Sequence, residues 1–350
     1  MKIRMNLFNR GKRSLHAPPT SSENEAWDAA AIAHQVEELR QAEADHEAQS
    51  LREAEKRRGW EPQEIEVSRR GQASAADPSQ TESQEAPAIE LRGAACRYGS
   101  VQAVQPLDWT VQRGEFWAVL GPNGSGKTSL LGLVSGAERL SAGEVRLAGR
   151  PLADYGRRER ARQLAVLPQE GLPPLGITVR DALEMGRFPY RDRFGRDRDP
   201  AAQEHLARIA GRLELTALLP RRLDELSGGQ RQRVALGQVM AQQPQILLLD
   251  EPTAYLDVYY QLDVMELVRE WREEAGLTVV AVLHDLNLAA QYAERLLLMR
   301  GGARAAEGTP EEVLIPEQIG DLFGVKPPLV IQHDELPAPQ LLFRAGSVKR

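Results

Sequence analysis

The chain has 350 residues, a net charge of −6 and an isoelectric point near 5.7. That length suits one large domain or two smaller ones. The acidic balance argues against a nucleic-acid binder that relies on a basic excess. A single cysteine, Cys96, excludes an intrachain disulfide and fits a reducing compartment.

Residues 1–86 differ in texture from the rest. The start, MKIRMNLFNRGKR, is basic, but no apolar segment follows it, so it does not read as a secretory signal. The stretch NEAWDAAAIAHQVEELRQAEADHEAQSLREAEKRRGW is rich in Ala, Glu, Gln and Arg, which favour helix. Its apolar stripe is thin: Trp27, Ile32, Val36 and Leu39, then little before Leu51. A sustained heptad seam is missing, so a solvated helix is expected rather than a coiled coil. RRGQASAADPSQTESQEAPA then reads as a disordered linker. No apolar run approaches the roughly 20 residues that span a bilayer, and a soluble, cytoplasmic chain is expected.

From Ala88 onward the pattern predicts alternating elements. AIELRGAACRYG and DWTVQRGEFWAVLG read as short strands joined by turns. A helix (SLLGLVSGAE), two strands (GEVRLAG, LAVLPQ) and a helical stretch from about Thr178 to Leu219 follow. Next come helix RQRVALGQVMAQ, strand QILLLDEP, helix VYYQLDVMELVREWREEAG, strand LTVVAVLHD and helix LNLAAQYAERL. ILLLD and LTVVAVL are short, continuous and rich in branched residues, as strands buried on both faces are. Such alternation predicts an α/β domain built on a parallel sheet.

Three segments carry chemistry. GPNGSGKT, comprising Gly121, Pro122, Asn123, Gly124, Ser125, Gly126, Lys127 and Thr128, lies between an apolar strand and a helix. Its glycines let backbone N–H groups turn inward around a phosphate, the helix start adds positive dipole, and Lys127 adds a full charge. Thr128 offers a hydroxyl to Mg²⁺. The strand QILLLDEP delivers Asp250 and Glu251 at its carboxyl end, where ligands sit in open α/β sheets. There Asp250 can hold Mg²⁺, and Glu251 can orient or deprotonate a water. ELSGGQRQR, Glu225 to Arg233, places paired glycines before a helix with Ser227 at the N-cap position. Gly228 and Gly229 leave N–H groups bare, a second phosphate-binding helix start in one chain.

The order GPNGSGKT, LPQ, LSGGQ, LLLDEPT, YLD, LHD resembles that of the ATP-binding cassette (ABC) ATPases, over roughly Ile89 to Val325. The resemblance implies a P-loop NTPase fold: a parallel sheet core, an antiparallel β subdomain and a helical subdomain at about residues 172–235, within a domain at 87–325. The extension at 1–86 and a tail at 326–350 lie outside it. It implies ATP and Mg²⁺, with the nucleotide held by the P-loop and Ser129, and Tyr98 stacked on adenine. Gln169 would reach Mg²⁺ and sense the γ-phosphate, Glu251 would be the general base, and His284 the switch histidine. Ser227, Gly228, Gly229 and Gln230 would close over the ATP of a second copy in a head-to-tail dimer, and Asp257 would cross to that copy. Further stretches, TVRDALEMGRFPY and AYLDVYYQLDVMELVREW among them, resemble the subfamily serving iron–siderophore, haem and cobalamin import. That implies integral membrane permease subunits as partners, a substrate-binding protein indirectly, and a peripheral place on the cytoplasmic membrane face. The alternatives are a soluble ABC ATPase without a transport role, or a transporter subunit for another substrate. Two segments depart from the pattern: QEGLPPLGITV after the glutamine, and the charged run RDRFGRDRDP, a solvated loop or a contact with the membrane partner.

Overall fold

Six strands form the central sheet of the computed structural model, which describes residues 86–254, 256–332 and 338–347. The helix and linker expected before residue 86 lie outside the described residues, as does part of the tail. All described residues belong to one unit, Ala75–Arg350.

The central sheet runs β10(Ala303–Gly308), β9(Arg295–Arg300), β3(Phe116–Leu120), β8(Thr278–Val282), β7(Ile246–Asp250), β6(Leu164–Leu167). Every neighbouring pair is parallel except β9–β10. The strand period of two splits the buried side chains between two cores. Phe116, Ala118, Leu120, Leu247, Leu249, Val279 and Ala281 face one, packed against helices. Trp117, Val119, Leu248, Val280, Val282 and Leu297 face the other. This is why ILLLD and TVVAV carry no polar alternation: neither face meets water.

The second core is closed by an antiparallel sheet in the order β2(Val101–Val111), β1(Ile89–Tyr98), β4(Ala142–Leu147), β5(Arg150–Pro151). Helix α1(Lys127–Ser135) lies within it, burying Leu130, Leu133 and Val134. A short helix, α2(Arg157–Gln163), leads into β6. The first core takes α3(Val179–Gly186), α4(Ala202–Arg212), α5(Gly228–Ala241), α6(Val258–Ala275) and α7(Leu286–Tyr292). Helices α8(Pro310–Val313) and α9(Pro316–Phe323) follow, then a hairpin of β11(Leu329–Ile331) and β12(Gln340–Leu342). An α/β fold with a parallel core, an antiparallel sheet and a helical part matches the expected class.

The helical stretch expected from about Thr178 to Leu219 is made of α3, α4 and short helical turns. Thr178 starts α3 with a reciprocal cap, its Oγ1 accepting from the Asp181 amide at 3.1 Å and its amide donating to Asp181 Oδ2 at 3.1 Å. The helix ends at Gly186, and the chain then folds around Arg187, which is 1 % exposed. Its guanidinium donates to Asp197, Asp199, Gln243 and the Ala241 carbonyl, and lies over the Tyr190 ring. A buried guanidinium must be fully paired, so part of the charged run RDRFGRDRDP is a structural knot. Phe194 stays exposed at its tip. One expectation is corrected, the helix LNLAAQYAERL. Helix α7 stops at Tyr292 and Arg295–Arg300 is strand β9, because RLLLM pairs with β3 and is buried from Leu296 to Met299. Tertiary pairing overrides a helical pattern here.

Candidate functional site

Strand β3 ends at Leu120 and hands the chain to a turn that only glycine can make. Gly121 has φ +151°, and a methyl there would strike the Met299 carbonyl. Gly126 caps α1 with φ +98°, and a methyl would strike the Ala103 carbonyl. The loop is clamped from behind by the β9–β10 turn: the Gly302 amide donates to Ser125 O at 3.0 Å, and Gly302 O accepts from the Gln105 amide at 2.8 Å.

Lys127 is 6 % exposed, and its Nζ donates to Gly121 O at 2.9 Å and Pro122 O at 3.2 Å. Burial pushes its pKa down, while Glu251 and Asp250 oppose the shift. Ser125 is buried, and its Oγ has no hydrogen-bond partner among the described residues. An orphaned hydroxyl and a cation resting on its own loop's carbonyls fit an incoming phosphate, which would satisfy both.

Asp250 closes β7, and its Oδ1 accepts from Thr128 Oγ1 at 3.4 Å. Burial, then Glu251, pushes its pKa up against the Thr128 hydrogen bond, Lys127 and His284. A half-buried carboxylate beside a hydroxyl is an all-oxygen donor set of the kind Mg²⁺ accepts. Glu251 follows with φ +50°, a left-handed conformation unusual for a non-glycine residue. Its amide donates to Val282 O at 3.1 Å and its carbonyl accepts from the Ala254 amide at 3.0 Å. The carboxylate is held on both sides: Gln169 Nε2 donates to Oε2 at 2.5 Å, and His284 Nε2 lies 2.5 Å from Oε1.

These groups line one cavity of about 620 Å³: Asn123 to Ser129, Gln169, Glu251 and His284, with Val101, Gln102 and Ala103. Tyr98 stands nearby, 47 % exposed, its hydroxyl donating to Ser129 Oγ at 3.5 Å. Sequence reasoning missed Val101–Ala103. They bear no motif and arrive only because the Tyr98–Val101 turn carries β2 past the loop.

The remaining site candidates do not line this cavity. Ser227 caps α5, its Oγ accepting from the Gln230 amide at 3.2 Å while its own amide donates to Gln230 Oε1 at 3.0 Å. A methyl on Gly228 would meet nothing within 4 Å, and one on Gly229 only the Tyr260 ring at 3.9 Å. Neither glycine has a positive φ. Among the described residues, neither a steric contact nor the backbone conformation requires either to be glycine. Asp257 caps α6, its Oδ1 accepting from the Tyr260 amide at 3.0 Å.

Comparison with known proteins gives consistent matches. The family described as ABC transporter matches residues 104–254. The chain is 38% identical over 248 residues to a petrobactin import ATP-binding protein of Bacillus anthracis, covering 70% of this chain and 90% of the relative. It is 41% identical over 264 residues to a hemin import ATP-binding protein of Myxococcus xanthus (strain DK1622), covering 73% and 96%. It spans 60% of the length of an uncharacterized ABC transporter ATP-binding protein of Bacillus subtilis (strain 168), at 36% identity. A solved dimeric bacterial ABC transporter cassette superposes with a TM-score of 0.56 at 29% identity, covering 63% of this chain and 98% of that one.

Proposed function

The chain belongs to the family of ABC transporter ATP-binding proteins, and on that footing we propose that it hydrolyses ATP to drive import of an iron complex, a ferric siderophore or haem. The observation that carries the reading is the cavity that gathers Lys127, Thr128, Gln169, Glu251 and His284, with Asp250 hydrogen-bonded to Thr128 behind it, while the bare glycines Gly228 and Gly229 stay outside it. Relatives named for petrobactin and hemin import support the substrate class.

On this reading the ATP phosphates enter the glycine loop and take over the hydrogen bonds that Lys127 now gives to Gly121 and Pro122. Tyr98 carries the adenine. Thr128, Asp250 and Gln169 are the residues that would hold Mg²⁺, which when bound neutralises charge on the phosphate oxygens. To act as base, Glu251 must exchange its contacts with Gln169 and His284 for a water. That water attacks the γ-phosphorus, the bond to the β-phosphate oxygen breaks, and the proton passes to Glu251. His284 is then free to contact the γ-phosphate.

Ser227, Gly228, Gly229 and Gln230 close over the nucleotide of a second copy, with Asp257 beside them, so one two-fold axis makes two composite sites. The dimeric cassette among the structural neighbours supports this assembly. Loss of the γ-phosphate removes the bridge and lets the copies part. Residues 87–325 would form the cassette, with the helical part near 172–235 facing the permease. Among the described residues no helix is long and apolar enough to cross a membrane. The relatives named as import ATP-binding proteins support separate permease subunits as partners, with this chain peripheral on the cytoplasmic face. The test is purification of the tagged chain from its native membranes. A polytopic permease should copurify, and ATP turnover should rise when a binding protein loaded with ferric siderophore or hemin is added. Recovery of ribosomes without any multi-span protein would overturn the transport reading.

A further inference from the structure

Gln232 lies one turn beyond Ser227 on α5, half-buried and away from the cavity lining. Its Nε2 donates to Pro252 O at 3.1 Å, on the residue after Glu251. Its Oε1 would lie 2.7 Å from a methyl on Gly171, so the two groups are in direct contact. Gly171 has φ +59°, and its amide donates to Pro168 O at 3.0 Å, closing the turn that presents Gln169. Gln169 in turn donates to Glu251 at 2.5 Å. The contacts form a ring: Gln169 to Glu251, along the backbone to Pro252, across to Gln232, and back through Gly171.

One side chain on the helix that begins at Ser227 thus braces both loops that carry Gln169 and Glu251. We propose that Gln232 is a positioning residue that couples the N-terminus of α5 to Glu251 and Gln169, so that seating of a second copy's nucleotide at Ser227 is felt at the attacking-water position. This rests on the composite-site reading above. Gln232 is not part of the cavity lining. Its effect is on the rate, through placement of the base, and a displacement well under an ångström of such a group lowers turnover by about tenfold or more. The P-loop is not part of the ring, so ATP affinity should not depend on it.

The experiment compares Gln232→Ala and Gln232→Glu with the unmodified full-length chain, by steady-state ATPase kinetics, equilibrium binding of a fluorescent ATP analogue and thermal melting. The glutamate keeps the length and the oxygen against Gly171 but removes the N–H donor to Pro252. Both variants are expected to lose about tenfold in kcat, with KM, nucleotide Kd and Tm close to those of the unmodified chain. Unmodified kcat in Gln232→Ala overturns the proposal. So does unmodified kcat in Gln232→Glu, or a joint decline of kcat, affinity and Tm, which marks a merely structural side chain. Glu251→Gln, run alongside, separates the failures. If it turns over at the unmodified rate, the reading of the site itself fails. If it stalls while the Gln232 variants run normally, only the coupling fails.

Discussion

Glu251 occupies a backbone position that costs free energy to hold. A non-glycine residue in the left-handed region costs about 1–3 kcal/mol, and here the Val282 and Ala254 hydrogen bonds impose it. The strain aims the carboxylate at Gln169 and His284 instead of along β7. Replacing Glu251 with Gln keeps the shape and removes the proton acceptor, so turnover should fall by about 10² or more with nucleotide affinity retained. Single-turnover kinetics and equilibrium binding check the two halves. Asp250 makes a prediction of opposite kind. Its pKa in the folded chain is raised by burial. From the model-peptide value upward to that raised value, the folded chain binds more protons than the unfolded one, so stability falls as pH rises through this window. Above that raised value the whole penalty is present. Asp250→Asn should therefore melt at a higher temperature than the unmodified chain without nucleotide, while losing Mg²⁺-dependent turnover. A lower melting temperature at neutral pH would contradict the burial argument.

At the scale of elements, the β9–β10 turn acts as a backstop to the P-loop. Gly301 and Gly302 both have positive φ, +53° and +79°, so alanine strains either one. They differ in space: a methyl on Gly301 meets nothing within 4 Å, whereas one on Gly302 lies 2.8 Å from the Ala103 carbonyl. Both alanine variants should lose about 1–2 kcal/mol of stability from the backbone alone. Only Gly302→Ala should also weaken ATP binding, by about tenfold, because it displaces the strand and loop that shape the cavity. Calorimetric titration separates the two effects, and equal affinities would show that the turn does not shape the loop. This backstop was not legible in the sequence, since its hydrogen bonds join residues far apart in the chain. The same holds for Val101–Ala103, which line the cavity by virtue of a turn. The strands β3, β7 and β8 were legible because burial on both faces leaves an unbroken branched-apolar run. The start of α5 was legible because Ser227 and Gln230 form a local cap. LNLAAQYAERL misled because its spacing fits a helix, while the decisive fact is a vacant edge on β3. The helical stretch Thr178–Leu219 was legible, but its break after α3 was not, because the knot around Arg187 depends on Asp197, Asp199 and α5 together.

For the whole molecule, the proposed site falls into two groups of residues that one copy does not bring together. The phosphate loop, Glu251, Gln169 and His284 share a cavity, and the Ser227–Gln230 cap is absent from its lining. A methyl on Gly228 would meet nothing among the described residues, which leaves the space above it open to a second copy. Introducing a long cation at the cap should block that closure and leave the P-loop intact. The direct measurement is the molar mass in solution, by light scattering, of the full-length Glu251→Gln chain, with and without Mg-ATP, and of Glu251→Gln carrying Ser227→Arg. The account predicts that ATP doubles the mass of the first, leaves that of the second unchanged, and binds both equally well. A double variant that still dimerises with ATP, or a Glu251→Gln chain whose mass ignores ATP, would contradict it.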